Sequence, residues 1–120
     1  MKLDLGVHHV GLNVKDLEAC RQFYVETLGL TPLPRPDFGF PGVWLQAGNQ
    51  QIHLLQQSEF QEPAAGQHFA FEVADLDAAV EELRAAGVQI SDAFEIPDVG
   101  RQAFLRDPDG NGIELNQPRR

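Results

Sequence analysis

Cysteine is almost missing from this 120-residue chain, and the single Cys20 excludes any disulfide within it. A lone thiol among polar neighbours points to a reducing compartment, so the expected location is cytoplasmic. Basic residues are scarce as well, 9 against 18 acidic, for a formal net charge of −9. Such a surface repels phosphate backbones, which argues against nucleic acid as a partner. No long apolar run follows Met1-Lys2 or occurs elsewhere, so neither a signal peptide nor a membrane span is expected. What remains is 42% hydrophobic and 22% charged, the composition of one soluble domain able to bury a core without staples.

Against that plain background the chain repeats itself. His9-Val-Gly-Leu-Asn-Val14-Lys-Asp16-Leu17 returns as His68-Phe-Ala-Phe-Glu-Val73-Ala-Asp75-Leu76, at an offset of 68 − 9 = 59. Near the end of each half Ile52-His53-Leu54 is echoed by Ile113-Glu114-Leu115, at 113 − 52 = 61. Superposing the halves sets His9 on His68 and His53 on Glu114. A repeat of this length fixes the architecture before any local reading does.

Each half reads as strand, helix, then three strands. Module one spans about 6–57, a linker rich in Pro, Ala and Gly about 58–66, and module two about 67–117. In the first, Gly6–Val14 alternates as a strand, and Asp16 caps a helix carrying Leu17, Cys20, Phe23, Tyr24 and Leu28 that Gly29 ends. Strands follow near Leu30–Leu33, Gly42–Ala47 and Gln51–Gln56, the last two joined by Gly48-Asn49. In the second, a strand near Gln67–Val73 leads to a helix capped by Asp75, with Leu76, Ala79, Val80 and Leu83 on its apolar face and Gly87 at its end. Strands near Val88–Phe94, Gln102–Arg106 and Gly112–Asn116 complete it, with Asp107-Pro-Asp-Gly-Asn111 as a tight turn. One turn of different length accounts for the drift from 59 to 61.

Alternation assigns faces. Val10, Leu12 and Val14 face the helix, so His9, Gly11 and Asn13 point away, and His8 falls back on the helix side as a structural residue. The same logic turns His53, His68 and Glu114 away from the helices. Three imidazoles and one carboxylate thus share a type of face at repeat-related positions, which is a metal-site pattern. Two imidazoles and a carboxylate form a facial set that leaves positions open for substrate and suits a divalent ion such as Ni, Zn, Mn, Fe or Co. Trp44 and Phe104 fall on this face too, making it partly apolar, as ligand pockets are. The Gly/Pro-rich loop Arg35–Gly42 carries Phe38 and Phe40 as rim or lid candidates, and Arg101 on the matching loop is a candidate anion contact. Asp16 and Asp75 read as helix caps.

The motifs His8-His9-Val-Gly-Leu-Asn-Val14, Phe23-Tyr24 with Leu28-Gly29-Leu30, and Arg106-Asp-Pro-Asp-Gly-Asn-Gly-Ile-Glu-Leu115 give the chain its resemblance to the vicinal oxygen chelate superfamily, the glyoxalase/bleomycin-resistance/dioxygenase group. The resemblance covers nearly the whole chain. It implies an α+β fold of two tandem βαβββ modules, a curled eight-stranded mixed sheet with helices on its outer face, commonly assembled as a homodimer. It implies one divalent metal per site, with ligands from the first and last strands of each module, the positions of His9, His53, His68 and Glu114. Glyoxalase I-like members usually have Glu where His53 stands, and methylmalonyl-CoA epimerase-like members usually have Gln. The function implied is metal-dependent lyase or isomerase proton transfer on a small oxygen-chelating substrate, with Glu114 moving the proton. Three alternatives stay open: an extradiol-type Fe(II) dioxygenase, for which 120 residues is short; a non-enzymatic drug-binding resistance protein, which the acidity suits; and a metal-dependent resistance transferase, as for fosfomycin.

Overall fold

Alternating apolar residues draw the first segment into a strand, β1 (His9–Val14), in the computed structural model, which describes residues 1–120. Leu12 and Val14 are buried, whereas His9, Gly11 and Asn13 are exposed. Asp16 then caps α1 (Leu17–Gln22), its carboxylate accepting from Ala19 N–H at 3.1 Å. Beyond Gln22 the helix widens. Over Phe23–Thr27 the bonding pattern reaches five residues back, with Leu28 N–H donating to the Phe23 carbonyl at 3.0 Å. Gly29, in the left-handed region at φ 78°, closes the helix, and Leu30 N–H reaches the Tyr24 carbonyl at 2.9 Å. Spacing alone predicts an ordinary helix here. The wide turn is a tertiary choice that leaves Tyr24 fully buried and Phe23 only partly so.

Three strands complete the first unit (Met1–Gln61): β2 (Thr31–Leu33), β3 (Gly42–Ala47) and β4 (Gln50–Gln56). Their order is β1-β4-β3-β2, with β1 and β4 parallel and the other pairs antiparallel. The helix lies against β3 and β4, and Cys20, Tyr24, Leu45, Ile52 and Leu54 form the core with Leu12 and Val14.

The second unit (Glu62–Arg120) repeats the plan with β5 (His68–Glu72), α2 (Leu76–Ala85), β6 (Phe94–Ile96), β7 (Gly100–Arg106) and β8 (Gly112–Pro118). Its sheet runs β5-β8-β7-β6, again with the first and last strands parallel. Asp75 caps α2 through Ala78 N–H at 3.1 Å, and Leu76, Val80 and Leu83 are buried with Ala103, Leu105, Ile113 and Leu115. The eight strands therefore form two four-stranded mixed sheets, each with one helix on one face. No helix is long and apolar enough to cross a membrane.

Beyond shifts of one or two residues elsewhere, such as β7 starting at Gly100 and β8 ending at Pro118, two boundaries differ from the sequence reading. β1 starts at His9 rather than Gly6, so strand alternation does not govern His8. The strand expected near Val88–Phe94 is β6 at Phe94–Ile96, and the preceding residues make only an Ile90–Leu105 bridge. Ser91 interrupts them: its N–H donates to the Phe104 carbonyl at 2.9 Å while its hydroxyl accepts from Phe104 N–H at 2.9 Å. The register also places the repeat's drift. His53 stands opposite Trp44 (53 − 44 = 9) and Glu114 opposite Phe104 (114 − 104 = 10), so the hairpin supplies one of the two extra residues. The other enters between the first and third strands of the module.

The β7–β8 turn is organised by a buried carboxylate. Asp107 accepts from Asp109 N–H and Asn111 N–H at 2.9 Å each and from Asn111 Nδ2 at 2.8 Å. Asp107→Ala strands those donors and should destabilise the protein by about 2–4 kcal/mol. The exposed control Asp4→Ala should stay within about 0.5 kcal/mol. Denaturant unfolding measures both, and equal midpoints would contradict this role for Asp107.

Candidate functional site

In the first unit the site face is a stack of rings. The parallel register sets Gly11 beside His53, and the glycine leaves the space above it open. His9 covers one side of the His53 ring, with centroids 4.0 Å apart and planes at 15°. Trp44, directly across on β3, covers the other at 4.4 Å and 11°. Phe38 leans on Trp44 at 5.9 Å, and Phe40 lies 6.2 Å from Phe38. The ring nitrogens are held from their edges. His53 Nε2 meets Gln51 Oε1 at 2.8 Å, where the amide oxygen can only accept, so His53 Nε2 carries the hydrogen. His9 Nδ1 lies 2.9 Å from His8 Nδ1, one donating and the other accepting. His53 is 8% exposed, and burial pushes its pKa below the ordinary histidine value, helped by the nearby positive charge of His9, His8 and Arg35.

In the second unit the site face holds an ion-pair geometry. His68 Nδ1 donates to the Gly66 carbonyl at 2.8 Å, which fixes the tautomer of the neutral ring with its lone pair on Nε2. That nitrogen stands 3.2 Å from Glu114 Oε1. The other oxygen, Oε2, accepts from Asn116 Nδ2 at 2.8 Å. Glu114 is buried, at 7% exposure. A carboxylate oxygen and an imidazole lone pair repel at this distance. The contact becomes attractive when His68 takes a second proton or when a cation lies between the two. Phe104, across from Glu114 on β7, meets His68 edge-on at 5.4 Å, and Phe94 stacks on Phe104 at 6.0 Å.

The residues singled out in the sequence thus separate. His9, His53, Trp44, Phe38 and Phe40 cluster in the first unit, and His68, Glu114 and Phe104 in the second. Neither unit on its own gathers three or more metal-ligating side chains. Arg101 is not brought to this face. It shares strand parity with buried Ala103 and Leu105 and forms a two-pronged pair with Asp77 of α2 at 2.8 and 3.0 Å, on the helix side. Four residues missed in the sequence do contribute: His8, Gln51, Gly66 and Asn116. Gln51 and Asn116 lie two positions from His53 and Glu114, so the alternation that found the latter also points to them.

Two four-stranded mixed sheets of the same strand order, each with one helix on one face, define a two-module α+β protein. The chain belongs to the Glyoxalase/Bleomycin resistance protein/Dioxygenase superfamily, which it matches over residues 6–115. It is 32% identical to the ethylmalonyl-CoA/methylmalonyl-CoA epimerase of Cereibacter sphaeroides, over 92% of this chain and 96% of that protein. Among solved structures it is similar to a glyoxalase family protein from Bacillus anthracis, with a TM-score of 0.85, 34% identity and 95% of each chain covered. It is also similar to TnmS3, an antibiotic binding protein from Streptomyces sp. CB03234, with a TM-score of 0.84 and 29% identity over 99% of this chain and 100% of that one.

The lowered pKa of His53 has a definite sign. Protonation costs the folded state more than the unfolded chain. The stability this group contributes is therefore complete above about pH 6.5, the unfolded value, and is lost as pH falls through the lower folded one. Proton NMR should show the His53 ring titrating below the ordinary histidine midpoint, and a midpoint at or above it would contradict the burial described.

Proposed function

We propose that this protein is a divalent-metal-dependent proton-transfer enzyme, an isomerase or lyase acting on a small substrate that chelates through adjacent oxygens. The observation that carries this reading is the confrontation of His68 Nε2 and Glu114 Oε1 at 3.2 Å, each held from behind, by Gly66 and Asn116. Two ligand atoms about 2.1 Å from one ion and roughly at right angles lie about 3 Å apart, so the pair has the spacing of neighbouring ligands. The donor set fits a borderline divalent ion. His68 and His9 would bind through Nε2, each steadied at Nδ1, and Glu114 through Oε1. His53, with its Nε2 hydrogen given to Gln51 and both faces covered, aligns His9 in this reading instead of adding a fourth ligand.

Bound there, the ion would polarise a substrate carbonyl and acidify the adjacent carbon. Glu114 serves as a displaceable ligand whose Oε1 takes the proton: Asn116 steadies Oε2, and burial keeps water from competing for the carboxylate. Phe104, on the strand opposite Glu114, offers an apolar wall. The similarity to the Cereibacter epimerase, over nearly the full length of both, favours isomerisation beside a carbonyl. A second reading, a binding protein without catalysis, is favoured by the ring stack around Trp44 and the similarity to TnmS3.

One experiment separates them. Protein purified without chelator should carry a divalent metal, and it should exchange the acidic C–H of methylmalonyl-CoA or ethylmalonyl-CoA for deuterium in heavy water. His68→Ala and Glu114→Ala should lose metal more than about tenfold, as should Asn116→Ala to a smaller degree, while Asp92→Asn keeps it. Glu114→Gln should abolish exchange. Full metal content in Glu114→Ala would overturn the ligand set, and binding without exchange would favour the second reading. The homodimer implied by the resemblance belongs to this proposal too. Sedimentation should give about twice the 13.3 kDa chain mass, and a monomer alone at micromolar concentration would count against it.

A further inference from the structure

Of the seven arginines in the chain, five grip a carboxylate: Arg21, Arg84, Arg101, Arg119 and Arg120. Arg106 is exposed and bonds the Gly110 carbonyl at 2.9 Å. Arg35 is different. Its Nη1 donates to the Phe40 carbonyl at 3.1 Å, but Nε and Nη2 are sealed from solvent with no partner. In a chain with 18 acidic residues and only 9 basic ones, carboxylates were available to satisfy it, and none was placed there. Two desolvated N–H groups without partners cost more than most single contacts in a domain supply, so they call for an explanation.

The two unmatched nitrogens are not arbitrary. Nε and Nη2 form one edge of the guanidinium, and that edge presents two parallel N–H groups matched to the two oxygens of a carboxylate. The surroundings hold the edge in place. The guanidinium carbon lies 5.0 Å from the ring centres of both Phe38 and Phe40. Behind it is Gly42, where any side chain would begin 2.8 Å from Arg35 Nε and Cζ, so the glycine is the space the arginine occupies. Phe38 in turn leans on Trp44, which stacks on His53, so Arg35 belongs to the ring face of the first unit. The cover is light: Phe38 and Phe40 are 53% and 43% exposed, and they sit on a loop outside any strand, with Gly39 in the left-handed region at φ 84°.

We propose that Arg35 is a specificity-determining residue whose Nε/Nη2 edge receives a carboxylate group of the ligand when Phe38 and Phe40 part. The inference rests on the reading of this face as the ligand site and narrows it, for the ligand then carries a carboxylate in addition to its chelating oxygens. The aromatic pair shields the charge until the anion arrives and removes water from the pair once formed, which strengthens a forked contact. Phosphate offers similar oxygens but in a tetrahedral array, a poorer match to one planar edge.

Trp44, the only tryptophan, reports on the site through its contact with Phe38. Protein stripped of metal with EDTA and then dialysed free of the chelator is titrated with malonate, with neutral malonamide and with inorganic phosphate while Trp44 fluorescence is followed. Malonate should shift the emission saturably, phosphate should bind more weakly, and malonamide should have no effect. Arg35→Lys keeps the charge but loses the fork and should weaken malonate about tenfold, and Arg35→Met should abolish the response. Thermal melts check that the variants fold, and Arg35→Lys decides the matter if Arg35→Met does not. No response to malonate in the wild type, or equal affinity in wild type and Arg35→Lys, would overturn the proposal. Tighter binding of phosphate than of malonate would overturn the carboxylate assignment. Because the metal is removed beforehand, failure here is distinct from failure of the metal reading.

Discussion

The parallel pairing of the first and last strand within each module is the constraint on which everything else depends. Because side chains alternate with a period of two, fixing that register decides at once which residues enter the core and which face the other way. In both modules a glycine occupies the partner position of a candidate ligand, Gly11 beside His53 and Gly112 beside His68. The second is the stricter requirement. A methyl group at Gly112 would lie 2.6 Å from the Gln67 carbonyl oxygen and 3.1 Å from the His68 Cβ, whereas one at Gly11 would meet only Leu55 at 3.6 Å. The pairing that closes each sheet thus also sets how closely the site residues approach.

The two modules share a plan and differ in chemistry. The first presents flat rings with a shielded cation, and the second a buried carboxylate set against an imidazole lone pair. The first leaves two buried N–H groups of Arg35 unmatched, and the second becomes attractive only with an added proton or cation. Unmatched groups of this kind are costly in a protein interior and are enriched at functional sites.

Most of the fold was legible because strand and helix periods, caps and the repeat all agreed. Asp16 and Asp75 cap their helices, Gly29 and Gly87 adopt the left-handed conformation after them, and the four ligand candidates lie on the faces that alternation assigned. The widened turn at Phe23–Thr27 was not legible, since it satisfies backbone geometry against a sheet and leaves the apolar spacing unchanged. β6 was displaced because Ser91, a side chain able to imitate a backbone partner, interrupts a run that looks apolar enough to be a strand. Arg101, a candidate by its loop position, pairs with Asp77, because its parity with Ala103 and Leu105 sets it on the helix side. Arg35 escaped notice because an unpaired guanidinium is recognised by what fails to surround it, and that is a property of three dimensions.

His53 shows how a stack restricts motion as well as position. Exposed side chains change rotamer within picoseconds to nanoseconds. A ring lodged between parallel neighbours at 4.0 and 4.4 Å cannot turn over without sweeping its edge through one of them. Its orientation toward Gln51 therefore outlasts the fast fluctuations of the surrounding loop. The first module thus holds a dipole of constant direction, set by the thickness of three aromatic rings.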